Sequence, residues 1–432
     1  MYKLLLPLTL VASVLLPAAA QTLDLPRSGD SAQVMYASAA KAIDPVGPLT
    51  LQSALALAIS ANPEVSAARY ELSAVEASVV QAGVLPNPSL GVQMQDTRRD
   101  TRETTVQVSQ PFELGGKRAA RVQAAERGRD AAGAELNAKQ AEVRAAVISA
   151  FFDVLTAQER MRLAQESADL AQRAATVASK RVIAGKISPV EETRARVAET
   201  SVRLDLLQAK SDLATARKRL SAMWGSLTPR FERAEGELQA LPVLPELSVL
   251  ADRLASSPAL ARARFEVDRR QALARVERSR RTPDVTVSLG VNRNEELGRN
   301  QAIVGVSVPL PIFDTNRGNV LEAQRRTDKA RDELAGTETR LGGELAQAVE
   351  KLSTTRQEVQ ALQQDILPGA QSAYEAATTG FEYGKFGFLD VLDAQRTLLQ
   401  AKSQYLRALS EAHRAGAEID RILGVPMAAA NQ

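Results

Sequence analysis

The chain has 432 residues, a formal net charge of +3, no cysteine and one histidine. This composition excludes disulfides and a cysteine-linked lipid anchor, and it leaves few side chains from which to build a transition-metal site. No basic tract is interleaved with aromatic residues, so we expect no nucleic-acid partner. Because cysteine is absent and histidine occurs once, we also expect no bound metal, and we expect no cofactor.

The first twenty residues have the pattern of a secretory signal peptide. A basic residue, Lys3, precedes an apolar run that extends to Leu16, and three alanines precede Gln21. A membrane anchor is the alternative, but the apolar run is short and contains Pro7. We therefore expect residues 1–20 to be removed from a protein that leaves the cytoplasm.

Short elements follow the signal peptide. Residues 21–48 contain proline and glycine without a sustained period, which predicts an extended arm. The pattern then predicts a helix from Leu51 to Ser60, a break at Asn62-Pro63, and a second helix from Glu64 to Ala82.

After Pro88 the hydrophobic period changes to two, which indicates β-strands. Leu90, Val92 and Met94 alternate with small or polar residues. A polar loop from Asp96 to Glu103 follows, and the alternation resumes at Val106 and Val108. This pattern predicts a β-hairpin that ends at Pro111.

The next segment predicts one very long helix. No proline occurs between Lys117 and Ile187, and a seam of apolar residues continues at alternating spacings of four and three up to Val182. At about 1.5 Å per residue, such a helix is roughly 100 Å long. Its seam is mostly alanine, so we expect neighbouring helices to approach closely.

The second half of the chain repeats this order. Pro258 lies 195 residues after Pro63. A second alternating hairpin is predicted, with strands at Val285–Val291 and Val304–Val308 joined by a polar loop from Asn292 to Asn300. A second long helix is predicted from about Arg317. Its seam comprises Leu341, Leu345, Ala348, Leu352, Thr355, Val359, Leu362 and Ile366. We interpret this as an internal duplication.

Each long helix is followed by a turn and a return helix. The first turn surrounds Gly185, the second surrounds Gly384, and these glycines are 199 residues apart. The return helices keep the heptad spacing. We therefore place the first repeat at residues 49–228, the second at 246–424, and a C-terminal tail at 425–432.

Four strands cannot close a membrane barrel on their own, because the smallest such barrels have about eight. Open strand edges are not tolerated in lipid, so several copies would have to combine their strands. The strands place apolar residues on one face and Gly, Gln and Ser on the other. This arrangement suits lipid on one side and water on the other, although soluble hairpins can show the same alternation.

The order of elements, taken twice, resembles the TolC family of outer-membrane efflux proteins over essentially all of the mature chain. Ser109–Arg118 and Val308–Asn319 are similar to the branch that serves cobalt-zinc-cadmium efflux pumps of the RND class. The segment from Gly384 to Gln395 is similar to the family's periplasmic tip.

This resemblance implies a mainly α fold with a membrane β-barrel. Long antiparallel helical hairpins would form an α-barrel across the periplasm, and four strands per chain would complete a twelve-strand barrel in a homotrimer. The implied location is the Gram-negative outer membrane, in contact with its lipid. The implied partners are a periplasmic adaptor (membrane fusion protein) and an inner-membrane RND pump, and the implied cargo is heavy-metal cations.

Two sets of residues near the turns are candidate functional sites. We expect the turns to contact the adaptor, because they are the ends of the helices farthest from the strands; they contain Gly185, Lys186, Gly384, Lys385 and Phe386. Glycine at such turns allows a sharp change of direction and close approach by a partner. The alternative is that these are only turn residues.

The second set is acidic. Asp390 and Asp393 are three residues apart, share one helix face, and would form two rings of carboxylates in a trimer. Such rings select cations, and Glu191 could add a third carboxylate per chain. Alternatively, these acids only stabilise the first turn of a helix. Drug-exporting members of the family lock this tip with a tyrosine and an arginine, at positions that align with Phe381 and Phe386.

We predict that the protein is not an enzyme, because no nucleophile with its base and no phosphate-binding loop is present. The only histidine, His413, lies beside a seam position and is expected to be packed or solvated. Two other functions stay open at this point. One is a TolC-like conduit for drugs or type I secreted polypeptides, and the other is a periplasmic coiled-coil scaffold.

Overall fold

The structure is a computed structural model that describes residues 45–244, 246–383 and 385–424. The predicted signal peptide, the predicted arm up to residue 44, the tail at 425–432 and Gly384 lie outside the described residues. No helix in the described ranges combines the length and the apolar character needed to cross a membrane.

The elements follow the predicted order. The first half comprises β1 (Pro48–Thr50), α1 (Leu51–Ala61), α2 (Pro63–Ala82), β2 (Ser89–Gln95), β3 (Glu103–Phe112), α3 (Lys117–Ile183) and α4 (Pro189–Ala222). The second half comprises β4 (Arg233–Glu235), α5 (Leu247–Ala255), α6 (Pro258–Ser279), β5 (Val285–Asn294), β6 (Arg299–Ser307), α7 (Arg317–Ala361), α8 (Leu367–Glu382) and α9 (Phe388–Leu423). One turn of π-helix, Leu362–Ile366, joins α7 to α8.

The break between α1 and α2 is confirmed and has a local cause. The Asn62 side chain accepts hydrogen bonds from the backbone N–H groups of Glu64 and Val65, at 2.9 and 3.2 Å. Pro63 occupies the first helical position, where its missing N–H costs nothing. Asn62 therefore caps α2 just after α1 has ended.

The long first helix is confirmed as a single element of 67 residues. Its predicted seam is buried at most positions, including Val147, Val154, Ala171 and Ala178. The helix α3 packs against α2, α4, α6 and α9, so it is the element to which most of the other helices attach. The small alanine side chains allow this close packing on several sides.

The second long helix differs from the prediction, because it is interrupted. The Leu367 N–H donates to the Leu362 carbonyl, five residues back, and Pro368 has no N–H to continue the regular ladder. Ile366, which we predicted to lie in the seam, is 46% exposed. The seam continues instead through Ala370 and Ala377, which are buried.

The π-turn adds one residue to the second helix relative to the first. Buried Val154 and Leu352 are 198 positions apart, whereas buried Ala171 and Ala370, beyond the turn, are 199 apart. One extra residue in a regular helix would rotate everything after it by about 100°. The π-turn absorbs that rotation, so both seams face their partners along their whole length.

The four longer strands form one antiparallel sheet in the order β2-β3-β5-β6. The two predicted hairpins are joined by β3 and β5, with Val106 opposite Val291. Both β2 and β6 are edge strands in the described chain. One face carries exposed apolar side chains, namely those of Leu90, Val92, Met94, Val106, Val108, Leu289, Val291, Val304 and Val306.

The predicted loop of the second hairpin was too long. We expected a polar loop from Asn292 to Asn300, but β5 continues to Asn294 and β6 begins at Arg299. The side-chain amides of Asn292 and Asn294 donate to the Glu103 carboxylate, at 3.1 and 2.7 Å. These cross-strand hydrogen bonds keep polar residues within the paired strands. Glu103, which we predicted to end the loop of the first hairpin, is the first residue of β3.

A small second sheet lies beside the middle of α3. Here β1 pairs in parallel with β4. The Gln158 side chain of α3 extends this sheet, because its amide donates to the Ala234 carbonyl and its oxygen accepts from the Ala234 N–H, at 3.0 and 2.8 Å. Trp224 and Phe231 are buried in the adjoining core.

Candidate functional site at the helical tips

The tip of the first hairpin is a helix-terminating turn built around Gly185. The Lys186 N–H donates to the Arg181 carbonyl at 2.9 Å, and the Gly185 N–H donates to the Val182 carbonyl at 2.9 Å. Gly185 has a φ of +68°, a left-handed conformation that glycine adopts without strain. Gly185 and Lys186 are both exposed, so the turn presents its backbone to solvent.

The tip of the second hairpin uses the equivalent bond, because the Lys385 N–H donates to the Gly380 carbonyl at 2.7 Å. The ring of Phe386 folds back onto Gly380, and a Cβ at Gly380 would collide with it. A side chain at position 380 would therefore displace the Phe386 ring from this contact. Lys385 and half of Phe386 are exposed, and Gly384 lies outside the described residues.

The two hairpins meet just above their tips. The Arg181 guanidinium of α3 lies over the Phe381 ring of α8, 4.3 Å from its centroid. Phe381, Ile187 and Leu392 pack around a core of small residues from α3 and α4, namely Ala175, Ala178 and Ala195. A phenylalanine at position 381 therefore contacts the other hairpin through a cation–π interaction, where the family resemblance implies a polar link.

The two acidic residues of the second tip differ in their contacts. Asp390 lies in the first turn of α9, and its carboxylate accepts the Gly387 N–H at 2.8 Å. Asp390 and Asp393 are both exposed on one face of α9. The capping role that we considered for this pair is thus observed for Asp390, while its carboxylate stays accessible to solvent.

The acidic residue of the first tip has a basic neighbour. Glu191 is partly buried, and its carboxylate lies 3.3 Å from the Arg194 guanidinium. Arg194 occupies the position 199 residues before Asp393. The duplicated site therefore carries two acids at the second tip, and an acid paired with a base at the first.

A further site in the middle of the helices was not predicted from the sequence. The imidazole of His413 stacks on the Phe152 ring, with 3.5 Å between centroids, and its Nε2 lies 2.8 Å from the Leu238 carbonyl. Burial lowers the pKa of His413 below its usual value, although the bond to Leu238 partly opposes the shift. His413 is packed, as expected, and it ties α9 to α3 and to the segment after β4.

A known family matches this architecture in two segments. The family described as outer membrane efflux protein matches residues 54–226 and 249–425, one segment in each half of the duplication. The chain belongs to this family. The efflux protein is therefore a channel component of the outer membrane with a helical tunnel in the periplasm, and its family is one of channels rather than enzymes.

Two relatives and one solved structure illustrate the similarity. The efflux protein is 49% identical to the cobalt-zinc-cadmium resistance protein CzcC of Cupriavidus metallidurans, over 88% of this chain and 90% of that protein. It is 33% identical to the nickel and cobalt resistance protein CnrC of the same organism, over 67% of this chain and 69% of that protein.

The solved structure is the open state of the Neisseria gonorrhoeae MtrE outer membrane channel. The efflux protein matches it with a TM-score of 0.74 at 20% identity, over 87% of this chain and 89% of that one. At this identity the match concerns the fold alone. The predicted fold class, with long helical hairpins, four strands and an internal duplication, is confirmed.

Proposed function

We propose that this protein is the outer-membrane tunnel of a tripartite RND efflux system that exports divalent heavy-metal cations of the zinc, cobalt and cadmium type. The observation that carries the proposal is the 49% identity to a cobalt-zinc-cadmium resistance protein over 88% of the chain. A second relative named for nickel and cobalt resistance supports the same class of cargo. The partners would be a periplasmic adaptor and an inner-membrane RND pump.

The working unit would be a homotrimer. Its support is the four-stranded sheet, in which β2 and β6 have unpaired edges beside an apolar face. Unpaired backbone groups are costly in lipid, so β6 of one copy would pair with β2 of the next. Each copy would span the two proposed repeats, 49–228 and 246–424, with residues 1–20 removed on export.

The tip carboxylates would select the cargo. Asp390 and Asp393 are exposed, and the described chain offers neither of them an ion pair. In a trimer they would give rings of negative charge that attract cations and repel anions. Glu191 would contribute less than they do, because Arg194 is paired with it.

The turns would contact the adaptor. Supporting this are the exposure of Lys186 and Lys385 and the backbone exposed at Gly185. Bulky replacements at Gly185 and Gly384 should abolish metal tolerance while outer-membrane assembly, followed by fractionation, stays intact. Tolerance equal to wild type in the correctly assembled double variant would contradict the docking role.

The cargo is tested by deletion and complementation in a host that carries the complete system. Loss of the protein should lower tolerance to zinc, cobalt and cadmium, and the plasmid-borne gene should restore it. Unchanged metal tolerance with new sensitivity to drugs, or with loss of a secreted polypeptide, would favour the corresponding TolC-like function. Recovery of the protein in the soluble periplasmic fraction would instead favour a scaffold.

A further inference from the structure

The junction between the helices and the larger sheet carries the excess positive charge of the chain. Three segments form this basic zone: residues 113–121 at the start of α3, 275–284 from the end of α6 to β5, and 314–317 at the start of α7. Together they contain eight basic and four acidic residues, a net charge of +4. The whole chain has +3, which leaves −1 for everything outside the basic zone.

The acidic side chains of the basic zone are already engaged. Three of them form ion pairs, namely Lys117–Asp284, Arg121–Glu113 and Arg280–Glu277. The fourth, that of Asp314, accepts the Asn316 N–H at 2.9 Å. Within the part of the chain that the structure describes, five arginines of the basic zone are exposed and have no carboxylate partner: Arg118, Arg275, Arg278, Arg281 and Arg317.

Two of these arginines lie on a face of α6 that no other long helix covers. The helix packs on α3 through Ala272 and Val276, and its Glu277 lines a cleft shared with α7. At about 100° per residue, Arg275 and Arg278 point away from both of these contacts. Because α3 and α7 of the same chain occupy both flanks of α6, a neighbouring copy would have no flank of α6 to cover.

The first repeat has no equivalent charges. The positions 195 residues before Arg275, Arg278 and Arg281 carry Val80, Gly83 and Pro86. Packing on α3 is common to α2 and α6, so this packing does not require arginine at these positions. The three charges therefore call for a contact outside the helices of the chain.

An exposed apolar segment borders the basic zone on the side of the sheet. Phe112 and Val308 continue the apolar face of the sheet to its helical end, and both are exposed. Leu310, Ile312 and Phe313 follow in the linker from β6 to α7, and Phe313 is 98% exposed. Exposed apolar patches next to charged groups are typical of surfaces that contact a partner or a membrane.

We propose that the basic zone binds the phosphate groups of anionic phospholipids, in the leaflet of the outer membrane that faces the periplasm. Leu310, Ile312 and Phe313 enter the apolar part of the same leaflet. The inference rests on the proposed function, in which the sheet lies in the membrane and the helices extend into the periplasm.

The chemistry of arginine favours this ligand. A guanidinium group donates two parallel hydrogen bonds to a phosphate, and it keeps its charge at any physiological pH. Clusters of basic residues directly beside a membrane-embedded segment attract anionic lipids. A neutral headgroup such as phosphatidylcholine carries its own cation, so it offers the arginines less net attraction.

Brominated lipids test both parts of the proposal, because a brominated acyl chain quenches tryptophan fluorescence only on close contact. The single tryptophan, Trp224, is buried. In the full-length variant Trp224→Phe/Phe313→Trp, indole fluorescence would come from position 313 alone. The assembled protein is placed in vesicles of equal phosphatidylglycerol and phosphatidylcholine, with one or the other brominated. We expect quenching to show a preference for phosphatidylglycerol of at least about fivefold.

Two sets of substitutions in this background separate local charge from total charge. Arg275→Gln/Arg278→Gln/Arg281→Gln should remove most of the preference while total quenching by lipid stays. The matched control removes three exposed charges near the helical tips, Arg173→Gln/Lys180→Gln/Arg396→Gln, and should keep the preference of the parent variant.

A second measurement does not depend on the tryptophan substitutions. Wild-type protein extracted by mild detergent from the same vesicles, without bromine, should retain more phosphatidylglycerol than phosphatidylcholine by mass spectrometry. Equal retention of the two lipids would overturn the proposal.

The fluorescence outcomes are equally decisive. Equal quenching by the two lipids, or an equal loss of preference in the control set, would overturn selective binding of anionic lipid by the basic zone. No quenching by either lipid would show that protein, such as a second copy, covers position 313, and would also overturn the proposal. Metal tolerance restored by the plasmid-borne gene would leave the proposed function intact in each case. Recovery of the protein in the soluble periplasmic fraction would overturn both.

Discussion

The two helical hairpins share one ancestry and differ in two places. The helix α3 is unbroken for 67 residues, whereas its counterpart contains a π-turn directly before Pro368. The first tip pairs Glu191 with Arg194, whereas the second exposes Asp390 and Asp393. The helix of the first hairpin is thus unbroken and Glu191 at its tip is paired, whereas the second hairpin carries the π-turn and two tip carboxylates outside any ion pair of the described chain.

Together with the proposed selectivity role of Asp390 and Asp393, this difference predicts a division of labour between the two hairpins. Both hairpins keep the seam that joins them, because a change there would disturb every neighbouring helix. The proposed selectivity residues lie on the hairpin whose helix has an irregular turn above the tip. Irregular π-turns often occur near functional sites, so the second hairpin is the one in which changes should affect transport.

The largest expected effect concerns deletions of one residue. Removing Gln165 from α3 should rotate Ala168, Ala171 and Ala178 out of the seam, at a cost on the order of several kcal/mol. Removing Gln364 together with Pro368→Ala should let α7 and α8 continue as one regular helix, with a change of about 1 kcal/mol or less. Thermal unfolding of the two purified variants measures the difference. Equal destabilisation of the two variants would contradict the conclusion that the π-turn absorbs one extra residue.

The next effect concerns charge at the tips. We expect Asp390→Asn/Asp393→Asn to reduce cation over anion selectivity by roughly tenfold, which corresponds to about 1.4 kcal/mol. The matched variant Glu191→Gln/Arg194→Gln should change selectivity much less, because it removes a neutral pair. Bilayer conductance in asymmetric salt measures both. If the first variant keeps wild-type selectivity, helix capping becomes the better account of Asp390.

The smallest expected effect concerns pH. Because burial lowers the pKa of His413 in the folded protein, the unfolded chain binds a proton at higher pH than the folded chain does. Above the unfolded-state pKa of about 6.5, His413 is neutral in both states and does not reduce the free energy of unfolding. As the pH falls from there toward the lower pKa of the folded state, the free energy of unfolding decreases by at most about 1.4 kcal/mol per pH unit.

The matched change is His413→Gln, which should flatten the dependence of the unfolding temperature on pH between 7 and 5. Position 214, the equivalent in α4, already carries alanine. Ala214→Gln should leave the pH dependence unchanged. If His413→Gln keeps the wild-type dependence of the unfolding temperature on pH, other groups cause that dependence.

Local periodicity was sufficient to predict most of the fold. The bounds of α3 follow from an uninterrupted seam without proline, and α2 begins where Asn62-Pro63 predicts it. Ile366 was misplaced because a heptad pattern cannot show a π-turn, although Pro368 two residues later was an available signal.

The site was harder to predict, because its contacts join residues that are far apart in the sequence. The chain separates Phe152 from His413 by 261 residues and Arg181 from Phe381 by 200. No local pattern indicates such pairs. The capping bond of Asp390, by contrast, lies within three residues of Gly387 and was anticipated as an alternative.

The pairing of β3 with β5 also bears on the order of folding. Glu103 lies opposite Asn294, 191 residues away, whereas α3 and α4 meet across a turn of a few residues. Loop closure disfavours distant pairings, so the helical hairpins should form early and the sheet late. The outer edges of β2 and β6 stay unpaired even then. Formation of the sheet should therefore depend on protein concentration, and a chain released alone would be exposed to aggregation until it meets other copies.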